Sequence, residues 1–319
     1  MGRTAGYVCQ SAGLGRLMIR RLVDALYARP YHLLTLAAIF WACNAIAGQL
    51  ARGEITAMQH VLIRWIFGAG IMWAIYGREV IAHWQGARAS IGRIIAMSLA
   101  GFTVFNLLFY LASFNTTGVN VGILQGSVPV FVILFGLVLH RTLISPLQTL
   151  GVAGTILGVA VVATQGTPWL ALEIDFNDGD LIMLAACASY AFYAILLKHR
   201  PDMPGAVLFT LMSGIALIAS VPPVLIEIAL ADESYAAPTA FGVLLTLFVA
   251  VFPGILAQQF FLRGVDLIGP QRAGIFTNLV PVFASALAVL ILGQVFALYH
   301  ALALVLVLGG IWLAQRSGR

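Results

Sequence analysis

Ten stretches of this chain are almost wholly apolar, at approximately 32–51, 57–77, 91–114, 118–139, 145–165, 179–198, 205–229, 239–262, 270–292 and 296–315. A helix that crosses the hydrocarbon layer of a bilayer needs about 20 residues of this kind. Charged residues are 9% of the sequence and hydrophobic ones 61%. A soluble domain carries about 25% charged residues, so water alone cannot solvate a surface made from this composition. Strands of a membrane barrel alternate over about ten residues, and these runs do not alternate. The expected fold is an all-α membrane protein with ten transmembrane helices, and the first partner is the lipid bilayer.

Lys and Arg orient such a bundle. With the N-terminus inside, the inner segments carry Arg3, Arg16, Arg20, Arg21, Arg29, Arg78, Arg88, Arg93, Arg141, Arg200, Arg263, Arg272, Arg316 and Arg319, with Lys198 at their edge. The outer loops carry Arg52 alone, beside the acids Glu54, Glu173, Asp175, Asp178, Asp180, Asp232 and Glu233. Both termini are therefore expected in the cytoplasm, with the chain in the cell inner membrane. The pI of 9.4 follows from these loop clusters, and no nucleic-acid partner is expected. Cys9, Cys43 and Cys187 form no close pair, so neither a disulfide framework nor a metal site has support. No cofactor is expected. Within the first 29 residues, "RLMIRRLVDAL" either lies as a helix on the inner leaflet or belongs to a tail without fixed structure.

One phrase occurs twice. "NVGILQGSVPVFVILFG" (Asn120–Gly136) and "RAGIFTNLVPVFASALA" (Arg272–Ala288) share Gly-Ile…Val-Pro-Val-Phe at an offset of 152 residues. The copies lie on the fourth and ninth runs, five apart. A unit with an odd number of spans, duplicated in tandem, places its second copy upside down in the membrane. The expected organisation is a cytoplasmic tail at 1–31, a first five-helix repeat at 32–165, an extracytoplasmic connecting loop at 166–178, an inverted second repeat at 179–315 and a cytoplasmic end at 316–319. Two similar halves in opposite orientation can exchange conformations, so that a central site faces each side in turn.

With "FWACNAIAGQ" on the first span, Arg64 in "LIRWIFGAG" on the second, the doubled proline phrase, "YAFYAILLK" and "VLGGIWLAQ", the sequence resembles the drug/metabolite transporter superfamily in its EamA-type branch. The resemblance covers about residues 32–315. It implies a secondary carrier, commonly an exporter, of amino acids, other small metabolites or drugs. One departure matters: where such chains often close spans four and nine with Glu, this one has Thr142 and Gln294.

Residues that could serve a transport site are the polar and aromatic ones inside the runs. Pro129 and Pro281 sit near mid-span, where each removes a helical hydrogen bond and kinks its helix. They are either hinges beside the substrate path or packing kinks, with Gly122, Gly126 and Gly274 allowing close helix approach. Arg64 lies roughly 10 Å deep at 1.5 Å per residue, and no acid is placed well inside a span to pair with it, Glu227 lying close to an outer end. It could meet backbone carbonyls, snorkel outward or bind a substrate carboxylate. Trp41, Asn44, Asn106, Tyr110, Gln125, Tyr190, Tyr193, Gln258, Gln259 and Asn278 either join helices by hydrogen bonds or line a pocket for a small molecule with a bulky apolar or aromatic group. Trp73, Trp84, Trp169 and Tyr235 read as interfacial belt residues. Proton coupling would fall to His60 or His300, and the alternative is an uncoupled facilitator.

An enzyme would need a nucleophile with its base or a metal cluster; HExxH, GxSxG and a Walker A lysine motif are all missing. A channel filter or charge ring is not legible either, while a scramblase has no sequence signature to weigh. The expectation is a secondary transporter of small metabolites such as amino acids, acting as exporter or facilitator, with an organic-cation or drug exporter of the same fold as the alternative.

Overall fold

The computed structural model describes residues 27–140, 145–167, 177–231 and 236–316. Most of the N-terminal tail with Cys9, the Arg141–Thr142 turn, most of the connecting loop with Trp169, Tyr235 and the last three residues lie outside the described residues. The apolar runs form ten helices: α1 (Pro30–Leu50), α2 (Ala57–Ala82), α3 (Ile91–Asn115), α4 (Gly118–Leu139), α5 (Pro146–Ala163), α6 (Asp178–Leu197), α7 (Gly205–Leu230), α8 (Ala240–Ile268), α9 (Arg272–Leu292) and α10 (Leu298–Gln315). Every regular element among the described residues is helical.

Local chemistry sets the ends. The Thr56 and Ser145 side chains accept from the backbone N–H of Gln59 and Gln148, and each glutamine returns a bond to the cap residue's own N–H. Thr117, Asn177 and Thr239 cap α4, α6 and α8 in the same first-turn manner. Gly293, at φ 63°, turns left-handed and stops α9. Two helices outrun their apolar stretches: α2 keeps Arg78 and Glu79 helical, and α8 keeps Arg263 and Asp266 helical. Large apolar side chains face outward, as lipid contact requires. Leu290 is 79% exposed and Leu298 87%, while Arg64, Asn106 and Asp180 are buried.

The packing map carries the duplication. α1 packs on α8 and α9, just as α6 packs on α3 and α4; α2 packs on α8 as α7 does on α3. The pairs α2–α7, α4–α9 and α5–α10 map onto themselves when the halves are exchanged. That is the pattern of a pseudo-two-fold axis, and with five spans per half the repeats are inverted. Small residues let backbones meet. On α5 a Cβ at Gly151 would run into the Gly310 carbonyl of α10, and one at Gly158 would stand 2.8 Å from Val307.

The departures from regular helix are also paired. α3 widens into a π-helical segment at Leu99–Val104 and α8 into another at Ala250–Leu256, at an offset of about 151 residues. α4 breaks after Gln125 and resumes at Val128; α9 tightens to a 3₁₀ turn at Phe276–Asn278 and resumes at Leu279. The repeated prolines therefore do not kink continuous helices. Pro129 and Pro281 sit in the first turn of a restarted helix, where a missing N–H removes no bond that a continuing helix would make. Gly126 and Ser127 instead donate to the carbonyls of Ile123 and Leu124.

Candidate functional site

Both π segments and both helix breaks face one cavity of about 280 Å³ at the centre of the bundle. Each half contributes: Gly101 and Phe102 from the α3 widening, Pro253 and Gly254 from the α8 widening, Gln125, Gly126 and Pro129 at the α4 break, and Thr277, Asn278 and Pro281 at the α9 break. Trp41 and Asn44 from α1, Arg64 from α2, Asn106 from α3, Tyr190 and Tyr193 from α6 and Gln258 from α8 complete the polar and aromatic wall. The polar and aromatic candidates from the sequence thus come together, except Tyr110 and Gln259, which are not among the lining residues. Tyr110 is fully buried and stands behind the wall, where its hydroxyl supports Arg64.

Arg64 enters the site from the second turn of α2. Its Nη1 donates to Asn106 Oδ1 at 2.7 Å and to the Tyr110 hydroxyl at 2.7 Å. Tyr110 passes its own proton to Asn44 Oδ1 at 2.8 Å, and Asn106 Nδ2 donates to the Phe102 carbonyl at 2.6 Å. Those acceptors are neutral, so α1 and α3 orient the guanidinium without cancelling its charge. Trp65 lies under it, with Cζ 5.4 Å from the ring centroid. The Nε donor has no partner, and Nη2 makes no hydrogen bond within the described protein. It faces Gly254, where a Cβ would stand 3.7 Å away. None of the residues lining the cavity is Asp or Glu. Buried charge in a low-dielectric site is costly unless an opposite charge meets it, and the cavity is the place left for one.

The rest of the wall is largely aromatic. Phe105 packs on Tyr190 at 4.9 Å between centroids, Tyr190 on Tyr193 at 5.3 Å, Phe102 on Phe209 at 5.4 Å and Trp41 on Phe261 at 5.3 Å. Gln125 also lines the cavity, with its Oε1 enclosed and without a hydrogen-bond partner. Among the described residues no cluster of His, Cys, Asp or Glu could hold a metal ion.

A profile of protein families matches the chain twice, over residues 29–164 and 177–315, and its description is the EamA-like transporter family. The chain belongs to the EamA-like transporter family. Its relatives include an uncharacterized transporter of Bacillus subtilis, YetK, 25% identical over 226 residues; the match spans 69% of this chain and, at 66%, just under two thirds of that protein. An uncharacterized transporter of Archaeoglobus fulgidus is 22% identical over 298 residues, covering 90% of this chain and 97% of that one. A solved crystal structure superposes with a TM-score of 0.56 at 15% identity, over 88% of this chain and 94% of that chain, a likeness of fold.

In this EamA-like chain several residues sit otherwise than their sequence context suggests. Gly122 and Gly126 do permit close approach: a Cβ at Gly122 would stand 2.7 Å from Ala284 Cβ, and one at Gly126 would press on Val307. Gly274, the repeat counterpart of Gly122, meets nothing within 4 Å. It permits no close approach, because the end of α9 that carries it stands away from its neighbours. His60 is buried, set edge-on against Tyr110 at 4.1 Å between ring centroids and joined through Nδ1 to Thr246 at 3.0 Å. His300 Nδ1 accepts the Ala297 N–H at 2.9 Å and so caps its own helix. Neither histidine lines the cavity. Gln294 accepts from the Val119 N–H and donates to Gln49; Thr142 lies outside the described residues.

Four features escaped the sequence reading. The walls supplied by Phe102, Phe105, Phe209 and Phe261 look like core in an apolar run, where rings are common. The π segments leave no compositional trace beyond Pro253-Gly254, a dipeptide that breaks an otherwise continuous run. Ile311 gave no signal at all. Asp180 sits where hydropathy changes, and so read as a loop residue.

Proposed function

We propose that this EamA-like protein is a secondary transporter that carries small metabolites through the central cavity by alternating access, with amino acids bearing bulky apolar or aromatic groups as its substrates. The observation that carries the reading is Arg64: a buried cation with two donors unspent, on a wall that holds no acid. A substrate carboxylate supplies the missing charge through charge-assisted bonds. The rings of Trp41, Tyr190, Tyr193 and Phe261 match the substrate's apolar body. The substrate crosses unchanged, as exporter or facilitator. The bias of Lys and Arg toward the inner segments supports placement in the cell inner membrane with both termini cytoplasmic. A second reading, an organic-cation or drug exporter, draws on the same rings through cation–π contact, but Arg64 repels such a ligand.

The test is uptake into proteoliposomes, screened across amino acids, bases and organic cations, for the parent and the Arg64→Gln protein. Carboxylates carrying a large apolar group are expected to be taken up by the parent and not by R64Q, with R64Q eluting as a folded, monodisperse protein. Equal uptake by R64Q removes the carboxylate role, and preferential uptake of cations favours the second reading.

A further inference from the structure

The two halves are repeats, yet the molecule is not symmetric. The α6 residues that line the cavity, Tyr190, Tyr193, Ala194 and Leu197, all lie in that helix's second half, and Leu197 is its last residue. From α9 only the stretch Thr277–Pro281, in the first half, takes part. The cavity therefore runs from mid-bundle to the end where α1 begins. At the far end the helices are drawn together. Gly118 and Gly122 of α4 lie against Ala288 and Ala284 of α9. α1 packs on α3 and α4, and α4 on α5 and α10, whereas α6 has no comparable packing on α8 and α9, nor α9 on α10.

A polar knot holds that far end. Asp180, 3% exposed in the first turn of α6, accepts from the Thr116 hydroxyl at 2.6 Å and from Asn120 Nδ2 at 3.2 and 3.3 Å. Thr116 belongs to the link between α3 and α4, and Asn120 to the first turn of α4. Gln49 at the end of α1 donates to the carbonyls of Ser113 and, at 2.7 Å, Thr116. Gln294 joins Gln49 at 3.2 Å and the Val119 N–H at 3.2 Å. Five helices or their flanks meet here. At the other end of the bundle the repeat places Tyr31 where Asp180 stands and Lys198 where Gln49 stands, at an offset of 149 residues. Tyr31 is exposed, and the Thr35 hydroxyl donates to its backbone carbonyl.

We infer that Asp180 is the latch that keeps the far end of the transport pathway shut, and that it sets the balance between the two facing states of the carrier. The residue touches no part of the cavity, so it is a positioning residue. Opening the far end must move the α3–α4 link away from α6, and that movement breaks all of the carboxylate's bonds to Thr116 and Asn120. Among the described residues no equivalent acid holds the opposite end, so the latch biases the molecule toward the state seen here. In Asp180→Asn one carboxylate oxygen becomes an N–H donor facing the donor of Asn120, which weakens the knot without changing its size. The inference rests on the alternating-access reading for its consequence in transport, but not for its test.

The test uses the full chain in nanodiscs, with Cys9, Cys43 and Cys187 replaced by alanine and one reporter cysteine at a time, reacted with a small water-soluble maleimide. Ala288→Cys reports the shut end and Thr277→Cys the open cavity. In the parent, T277C reacts fast and A288C slowly. In D180N, A288C is expected to react about tenfold faster, the scale set by losing one bond to a charged group, and T277C correspondingly more slowly. Thr116→Val, which removes the strongest donor and keeps the acid, is expected to move both rates the same way. If both rates stay unchanged, or both rise together as in general loosening, Asp180 is not the latch. No substrate enters this assay. An absence of uptake in proteoliposomes would therefore sink the transport reading and leave the latch standing, and the reverse outcome is equally separable.

Discussion

Arg64 concentrates the chemistry of the molecule in one side chain, and the neighbours that hold it define what it can do. Asn106 and Tyr110 take one nitrogen through neutral oxygens, which fixes direction while sparing charge. Tyr110→Phe deletes the hydroxyl that links Arg64 to Asn44. It is expected to lower stability by about 1 kcal/mol, the usual worth of such a bond, and to weaken carboxylate affinity several-fold. Thermal unfolding and ligand titration by quenching of Trp41 and Trp65 fluorescence measure the two effects, and unchanged values in both would mean that the hydroxyl positions nothing. At this scale the sequence was informative at several polar residues that interrupt apolar runs: Asn44, Asn106, Gln125, Gln258 and Asn278 reach the cavity, while Gln259 does not. Polar atoms have few reasons to sit in lipid, and a cavity is one of them. It was silent on Asp180. An acid at the edge of an apolar run looks the same whether water or the α3–α4 link covers it.

Helices α4 and α9 show what a repeated phrase means physically. Both break one turn before their proline, and each break opens backbone toward the cavity between half-helices. The sequence placed the prolines near mid-span but not the form of the break, because proline is compatible with a kink and with a fresh first turn alike. The π segments of α3 and α8 were likewise hidden: a widened turn depends on tertiary room more than on composition. The asymmetry between Gly122 and Gly274 gives a prediction at this scale. Gly122→Val crowds Ala284 and is expected to cost about 1–3 kcal/mol, as overpacking does. Gly274→Val meets open space here and is expected to leave the melting temperature nearly unchanged, within about 0.5 kcal/mol. It should nevertheless slow transport, because its side chain obstructs closure of that end. A G274V protein that melts normally and transports normally would show that this face never closes.

Across the whole molecule, ten crossings, all-helical architecture and duplication follow from hydropathy and one repeated phrase, because a bilayer leaves few alternatives to a chain so poor in charge. What hydropathy could not convey is how the two halves differ, since the same phrase is written twice in the sequence while Gly122 is in contact and Gly274 is not. The contact of Gly122 with Ala284 has a counterpart, 152 residues displaced, in Gly274 with Val132. Exchange of the halves requires that second contact to form whenever the cavity faces the other way. The decisive measurement is therefore disulfide trapping of Val132→Cys with Gly274→Cys in proteoliposomes, in the background free of other cysteines, during substrate exchange. The exchange predicts that the bridge forms under oxidation, that transport stops, and that a reductant restores it. A pair that never bridges over many turnovers, or that bridges while transport continues, would contradict it.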